Sequence, residues 1–264
     1  MISPNLFDWS IMQFQSFVLI MMRVSPILFM MPILSSSAMP NLLKISLMLA
    51  VSLLLLPLVK IDLRLFPSDP YQFGLFMIAE LMVGFVLGLS INLIFAGIQL
   101  AGELAGYQMG LAMATILDPQ SGMDTTLIAQ FYYLLGLLIF LSIDGHHWFF
   151  RALFQSFSVL SPGEFHLKMG LYHHILKLSA KMFIIAIKMI APIMAVLIFT
   201  QIALGMIAKM VPQMNVLMTS FPLTICLGLI FLGLSIELLV PLLKYLFEEA
   251  SRGLVDTMLP LIGR

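Results

Sequence analysis

The sequence predicts an all-α membrane-complex protein, built as long, kinked and broken helical hairpins from about six apolar helical segments. Composition is the first reason: 61% of the 264 residues are hydrophobic and 10% are charged, against roughly half and one quarter in a soluble domain. Segment length is the second. Six apolar stretches, at 11–34, 45–59, 72–100, 126–143, 182–208 and 216–243, approach the about 20 residues that cross a hydrocarbon core as helix. They are too long and too uniformly apolar for the alternating strands of a closed barrel. Charge is the third: 13 basic and 13 acidic side chains cancel, so no basic surface points to nucleic acid and no acidic tail to a solvating segment.

In chain order, the first stretch follows an N-terminus that has Asp8 and no basic n-region, and Arg23, Pro26 and Pro32 interrupt it, so a cleaved signal peptide is not expected. Residues 60–71, "KIDLRLFPSDPY", form a charged, Pro-rich turn. Residues 144–181 hold all five histidines together with Arg151, Lys168, Lys177 and Lys181. They read as the main connector, between an N-terminal helical part and a C-terminal hairpin.

Arg23, Glu80, Lys188 and Glu237 stand inside apolar stretches, where each costs about 2.5 to 3.5 kcal/mol if it faces lipid at a helix centre. Pro26, Pro32, Pro57, Pro192, Pro222 and Pro241 lie in or beside the stretches, and each removes a backbone donor. Carbonyls freed in hydrocarbon need partners. Charges and bends together predict helices whose polar groups are satisfied by other protein subunits. The one cysteine, Cys226, has no intrachain disulfide partner and reads as a small core residue.

The segment "GELAGYQMGLAMATILDPQSGMD", residues 102–124, separates two of the stretches. Gly102, Gly106 and Gly110 are four apart and form one smooth stripe on a helix, and Gly84 with Gly88 forms a shorter one. Such stripes let backbones approach closely, and tight packing must offset the about 1 kcal/mol that each glycine costs relative to alanine. Generic helix packing and a subunit interface both fit. Gln99, Glu103 and Tyr107 make a parallel polar stripe, in which Glu103 suits an interhelical or intersubunit hydrogen bond, a proton pathway being the alternative.

Asp118-Pro119 and Ser121-Gly122 then signal turns, with Asp124 placed to cap a helix from Thr125. Met109, Met113, Ile116 and Leu117 precede the break. They fit an ordinary buried turn, or a hydrophobic stopper, because apolar constrictions dewet and flexible thioethers re-pack around whatever displaces them. Met210, Met214 and Met218 share one helical face, which fits core packing or methionines near a pore.

Catalytic chemistry is poorly supplied. "DGHH", residues 144–147, and His173-His174 lack the ligand spacing of known zinc motifs, and adjacent histidines are expected to point apart on a helix, so no metal site is expected. No G-x-S-x-G elbow, P-loop or dinucleotide fingerprint occurs, so neither catalytic residues nor a cofactor are expected. The rival to a structural or gating role is a small secondary transporter using Glu80, Glu103 or Lys188.

Five segments in order resemble the FliR family of flagellar type III secretion, with the injectisome (SctT) counterparts more distant. They are "RVSPILFMMPIL" (23–34), "AELMVGFVLGL" (79–89), "AGELAGYQMGLAMATILDPQSG" (101–122), "DGHHWFFRAL" (144–153) and "GMIAKMVPQMNVLMTSFPL" (205–223). The resemblance implies a non-enzymatic export-gate subunit of the bacterial inner membrane, in the flagellar basal body. It implies assembly with FliP and FliQ subunits, contact with FlhB and FlhA, and passage of unfolded flagellar proteins. It further implies a FliP-like part over 1–160 and a FliQ-like helical hairpin over 161–264. The family's plug loop falls on 106–122, with Met109, Met113, Ile116 and Leu117 sealing it and the Asp118-Pro119 turn shaping it.

Overall fold

The computed structural model describes residues 6–35, 39–59, 69–111, 125–162, 169–211, 213 and 216–253. Among these residues there are eight helices and no strand: α1 (Leu6–Met30), α2 (Pro32–Ser35), α3 (Asn41–Leu55), α4 (Pro70–Met109), α5 (Leu127–Ser142), α6 (Gly145–Val159), α7 (Met169–Met210) and α8 (Val216–Gly253). The six apolar stretches are all helical, but only four helices are long and apolar enough to cross a membrane: α1, α4, α7 and α8. Helices α5 and α6 make a fifth only if counted together as one broken span. At 15 residues, α3 is too short.

Local chemistry sets several boundaries. Asp69 opens α4: its Oδ1 accepts from the Tyr71 N–H at 3.2 Å, and Pro70 occupies the first turn, where its missing donor costs nothing. The expected cap for the next helix is displaced. Thr126 caps α5, its side chain accepting from the Ala129 N–H at 3.2 Å, while Asp124 lies outside the described residues. Pro26, Pro192, Pro222 and Pro241 all sit inside continuing helices, so they do not break the chain where they stand.

The connector expected over 144–181 is largely helical, which corrects the sequence reading. Helix α6 buries Phe149, Ala152, Leu153, Ser156 and Phe157 and exposes Phe150, Arg151 and Phe154. Search for a uniformly apolar run passes over such an amphipathic helix, because the polar half lowers its mean hydropathy.

The chain divides into two compact units. The first contains residues 1–92, 144–177 and 248–264, the second 93–143 and 178–247. In the first unit, α4 lies close on α1: a Cβ at Gly84 would run into the Arg23 carbonyl oxygen, and one at Gly88 would stand 3.0 Å from Met30 Cβ. Leu19, Ile20, Val24 and Val83 are fully or almost fully buried in this unit. Arg23 is 0% exposed and Glu80 1%, and the Arg23 Nε donates to Glu80 Oε2. The Arg23 Nη1 also donates to Ser156 Oγ at 3.3 Å and to the Leu160 carbonyl at 3.2 Å, and the guanidinium lies 4.2 Å from the Phe157 ring centre. These two charges were expected to need another subunit; they satisfy each other within the chain.

In the second unit, Phe95, Phe140 and Phe247 form a closed triad with ring centres 5.2 to 5.5 Å apart, a spacing that favours edge-to-face attraction. Elsewhere in this unit, Phe183, Ile187, Phe199, Leu229, Leu234 and Leu238 on α7 and α8 are exposed. Lys188 and Glu237 are exposed on the same two helices. Cys226, expected in the core, is exposed on α8. A helix that is apolar all round gives no sequence signal for which face turns inward.

Candidate functional site: the two ends of the 112–124 segment

The site is built where α4 ends and α5 begins, within the second unit. Gly102 and Gly106 lie directly against the start of α5: a Cβ on Gly102 would strike the Ala129 backbone, and one on Gly106 would stand 2.6 Å from Thr126 Oγ1. Between them, Glu103 Oε1 accepts from the Thr126 backbone N–H at 3.2 Å. A carboxylate there also faces the positive end of the α5 dipole. Thr126 Oγ1 lies 3.5 Å from the Gly102 carbonyl oxygen. Glu103 is thus engaged between helices of this chain. Of the other residues in its stripe, Gln99 is half-buried and Tyr107 is 61% exposed.

Helix α4 stops at Met109 for a stereochemical reason. Gly110 has φ +85°, the left-handed region that a side chain disfavours. Its N–H donates to the Tyr107 carbonyl at 3.0 Å, and the Leu111 N–H donates to the Gly106 carbonyl at 2.9 Å, the paired bonds of a Schellman cap. Gly110 therefore leaves the helical stripe formed by Gly102 and Gly106, since a residue in this conformation ends a right-handed helix.

Three residues of α8 meet this end. The Phe221 ring lies over Gly110, where an added Cβ would stand 2.6 Å from Cδ1. The Thr224 Oγ1 donates to the Met109 carbonyl at 3.1 Å. Met109, 0% exposed, lies over Gly228, where an added Cβ would meet its Cγ and Cε at 2.6 Å. Sequence reading missed Phe221, Thr224 and Gly228, although their offsets of three and four place them on one helical face.

Gly106 is common to both ends of the intervening segment. Its carbonyl accepts from Leu111 on the departing side, and its Cα packs on Thr126 on the returning side. Leu111 and Thr126, the described residues nearest the two ends of 112–124 with contacts to α4, thus both meet the same turn of that helix. Met113, Ile116, Leu117, Asp118 and Pro119 belong to that segment and lie outside the described residues, as does Met214. Met210, at the end of α7, is 81% exposed and Met218, on α8, 77%.

The histidine pair departs from expectation. The His146 and His147 rings lie side by side, with centres 4.1 Å apart and planes tilted by 38°, in the first turn of α6, which is entered through Asp144 at φ 56°. Donor atoms of Asp144, His146 and His147 lie within 4.8 Å of one another, with His147 Nδ1 3.6 Å from Asp144 Oδ1. Asp144 and His147 have side chains 73% and 67% exposed, and no fourth such ligand joins them among the described residues, short of a closed four-ligand zinc site.

Long apolar helices and a buried internal ion pair define an all-helical membrane protein. The profile described as "Bacterial export proteins, family 1" matches residues 14–250. Among similar proteins, flagellar biosynthetic protein FliR of Pectobacterium carotovorum subsp. carotovorum is 32% identical over 97% of this chain and 96% of its own length. Its counterpart in Escherichia coli (strain K12) is 30% identical over 92% of this chain and 93% of its own, and that in Bacillus subtilis (strain 168) 30% over 92% and 95%. The chain belongs to the FliR family of bacterial export proteins. It is a component of flagellar biosynthesis in the inner membrane, consistent with its apolar helices.

Proposed function

We propose that this chain is a non-enzymatic subunit of the flagellar protein-export gate, lining part of the channel for unfolded flagellar proteins and plugging it with the segment around 106–122. The observation that supports this best is the double clamp on Gly106. It holds Leu111 and Thr126, on either side of residues 112–124, at the same turn of α4, which suits a plug that can be displaced while the flanking helices stay in place. The composition of the segment, with Met113, Ile116 and Leu117 and no Lys or Arg, suits an apolar barrier to ions that a passing chain displaces. FliP and FliQ subunits are the neighbours that would cover the exposed apolar faces of α7 and α8, with FlhB and FlhA beside them. In this reading residues 1–160 are the FliP-like part and residues 161–264 the FliQ-like hairpin, whose two arms are α7 and α8. Met210 and Met218, exposed at the facing ends of those arms, suit methionine packing near the pore together with Met214.

Two of the three candidate coupling groups of the transporter alternative are engaged within the chain. Glu80 is bound to Arg23, and Glu103 to the start of α5. Deleting residues 112–120 in assembled gate complexes tests the proposal: the complexes should leak ions and small dyes. Glu103→Gln, which keeps an acceptor for Thr126, should leave secretion nearly unchanged. Complexes that stay tight after the deletion, with a solute uptake abolished by Glu103→Gln, would replace the gate with the transporter.

A further inference from the structure

We infer that Phe221, Thr224 and Gly228 form a seat on α8 that holds the plug in register, making them positioning residues for gating. This rests on the plug reading above. The last turn of a helix leaves carbonyls without intrahelical donors, and the Met109 carbonyl is one of these. Thr224 supplies its donor from a second helix, Gly228 makes room for the Met109 side chain, and the Phe221 ring covers Gly110 at the point where the backbone turns. Each contact falls on the two residues from which the segment departs. A rotation of the α4 end about its own axis would carry the following residues away from the place where they seal.

The seat has a built-in means of release. The Thr224 hydroxyl has one hydrogen and three acceptors within reach: the Met109 carbonyl at 3.1 Å, Ser220 at 3.0 Å and Phe221 at 3.2 Å. When Met109 lifts away, the hydroxyl turns to a carbonyl of its own helix and no buried donor is orphaned. The latch therefore opens without the penalty that an unpaired buried hydroxyl would impose. Gly228 lacks any side chain that would fill the vacated space and hinder return.

The test compares ion leak through assembled gate complexes carrying Thr224→Val, Thr224→Ser and Gly228→Ala. Co-purification with partner subunits confirms assembly in each case. Thr224→Val keeps the shape and removes the donor, and should raise resting leak about fivefold, the factor for one neutral hydrogen bond in a two-state equilibrium. Thr224→Ser should restore tightness. Gly228→Ala should leak more, because the new methyl displaces Met109.

Three results would overturn the inference in distinguishable ways. If the 112–120 deletion leaks but Thr224→Val and Gly228→Ala assemble and stay tight, the seat fails and the plug stands. A leak from Thr224→Ser equal to that from Thr224→Val would mean that the hydroxyl does not hold the α4 end and the latch does not exist. If the deletion itself does not leak, plug and seat fall together.

Discussion

Replacing Glu80 by leucine has a predictable cost because its partner is so completely enclosed. Arg23 is 0% exposed, and Nη2 already lacks a hydrogen-bond partner. Without Glu80, Nε would lose its acceptor, leaving the Ser156 hydroxyl, the Leu160 carbonyl and the Phe157 ring to stabilise a full positive charge. Removing one member of a buried pair costs about 3 to 5 kcal/mol, a shift of roughly 150- to 5,000-fold in a folding equilibrium. Replacing both, as Arg23→Met with Glu80→Leu, removes charge and counter-charge together and should return most of that loss. The assay is a double-mutant cycle on the protease resistance of the chain co-produced with its partner subunits, which isolates the coupling between the two positions. Equal susceptibility of Glu80→Leu and of the double variant would refute the reasoning, since it would mean that Arg23 is solvated or paired elsewhere once Glu80 is gone.

Other substitutions probe the remaining contacts. Thr126→Ala should destabilise the start of α5 by about 1 kcal/mol, the usual value of an N-cap, and Thr126→Ser should restore it; hydrogen exchange at Ala129 reports the change. Gly102→Val should weaken α4–α5 packing by at least 1 kcal/mol, because its side chain meets the Ala129 backbone; recovery of the assembled complex is the measure. Cys226, exposed on α8, should react quickly with a maleimide in the isolated chain and slowly in the gate complex if partners cover that face; equal rates would place Cys226 away from any subunit contact.

Much of the fold was legible because hydrophobic length is a direct consequence of burying a backbone away from water. The six stretches became helices, and Gly84, Gly88, Gly102 and Gly106 fell where helix backbones come close. Facing was less legible. Cys226 and Tyr107 turned outward, since a helix surrounded by apolar neighbours has no polar side to announce its orientation. Helix α6 was hidden by its own amphipathicity. The Arg23–Glu80 pair spans 57 residues of sequence, so spacing could not reveal that two isolated charges were one neutral unit. At the site, the Asp118-Pro119 signal drew attention to the middle of the segment, whereas the residues that fix its ends are Gly106, Gly110 and Thr126, with Thr224 more than 100 positions away.

The most direct measurement places a photoreactive amino acid at Ile116 and jams an export substrate in the assembled gate. The account predicts a crosslink from position 116 to the substrate polypeptide, suppressed when no substrate is engaged. A crosslink to lipid, with none to the substrate in jammed complexes, would contradict it.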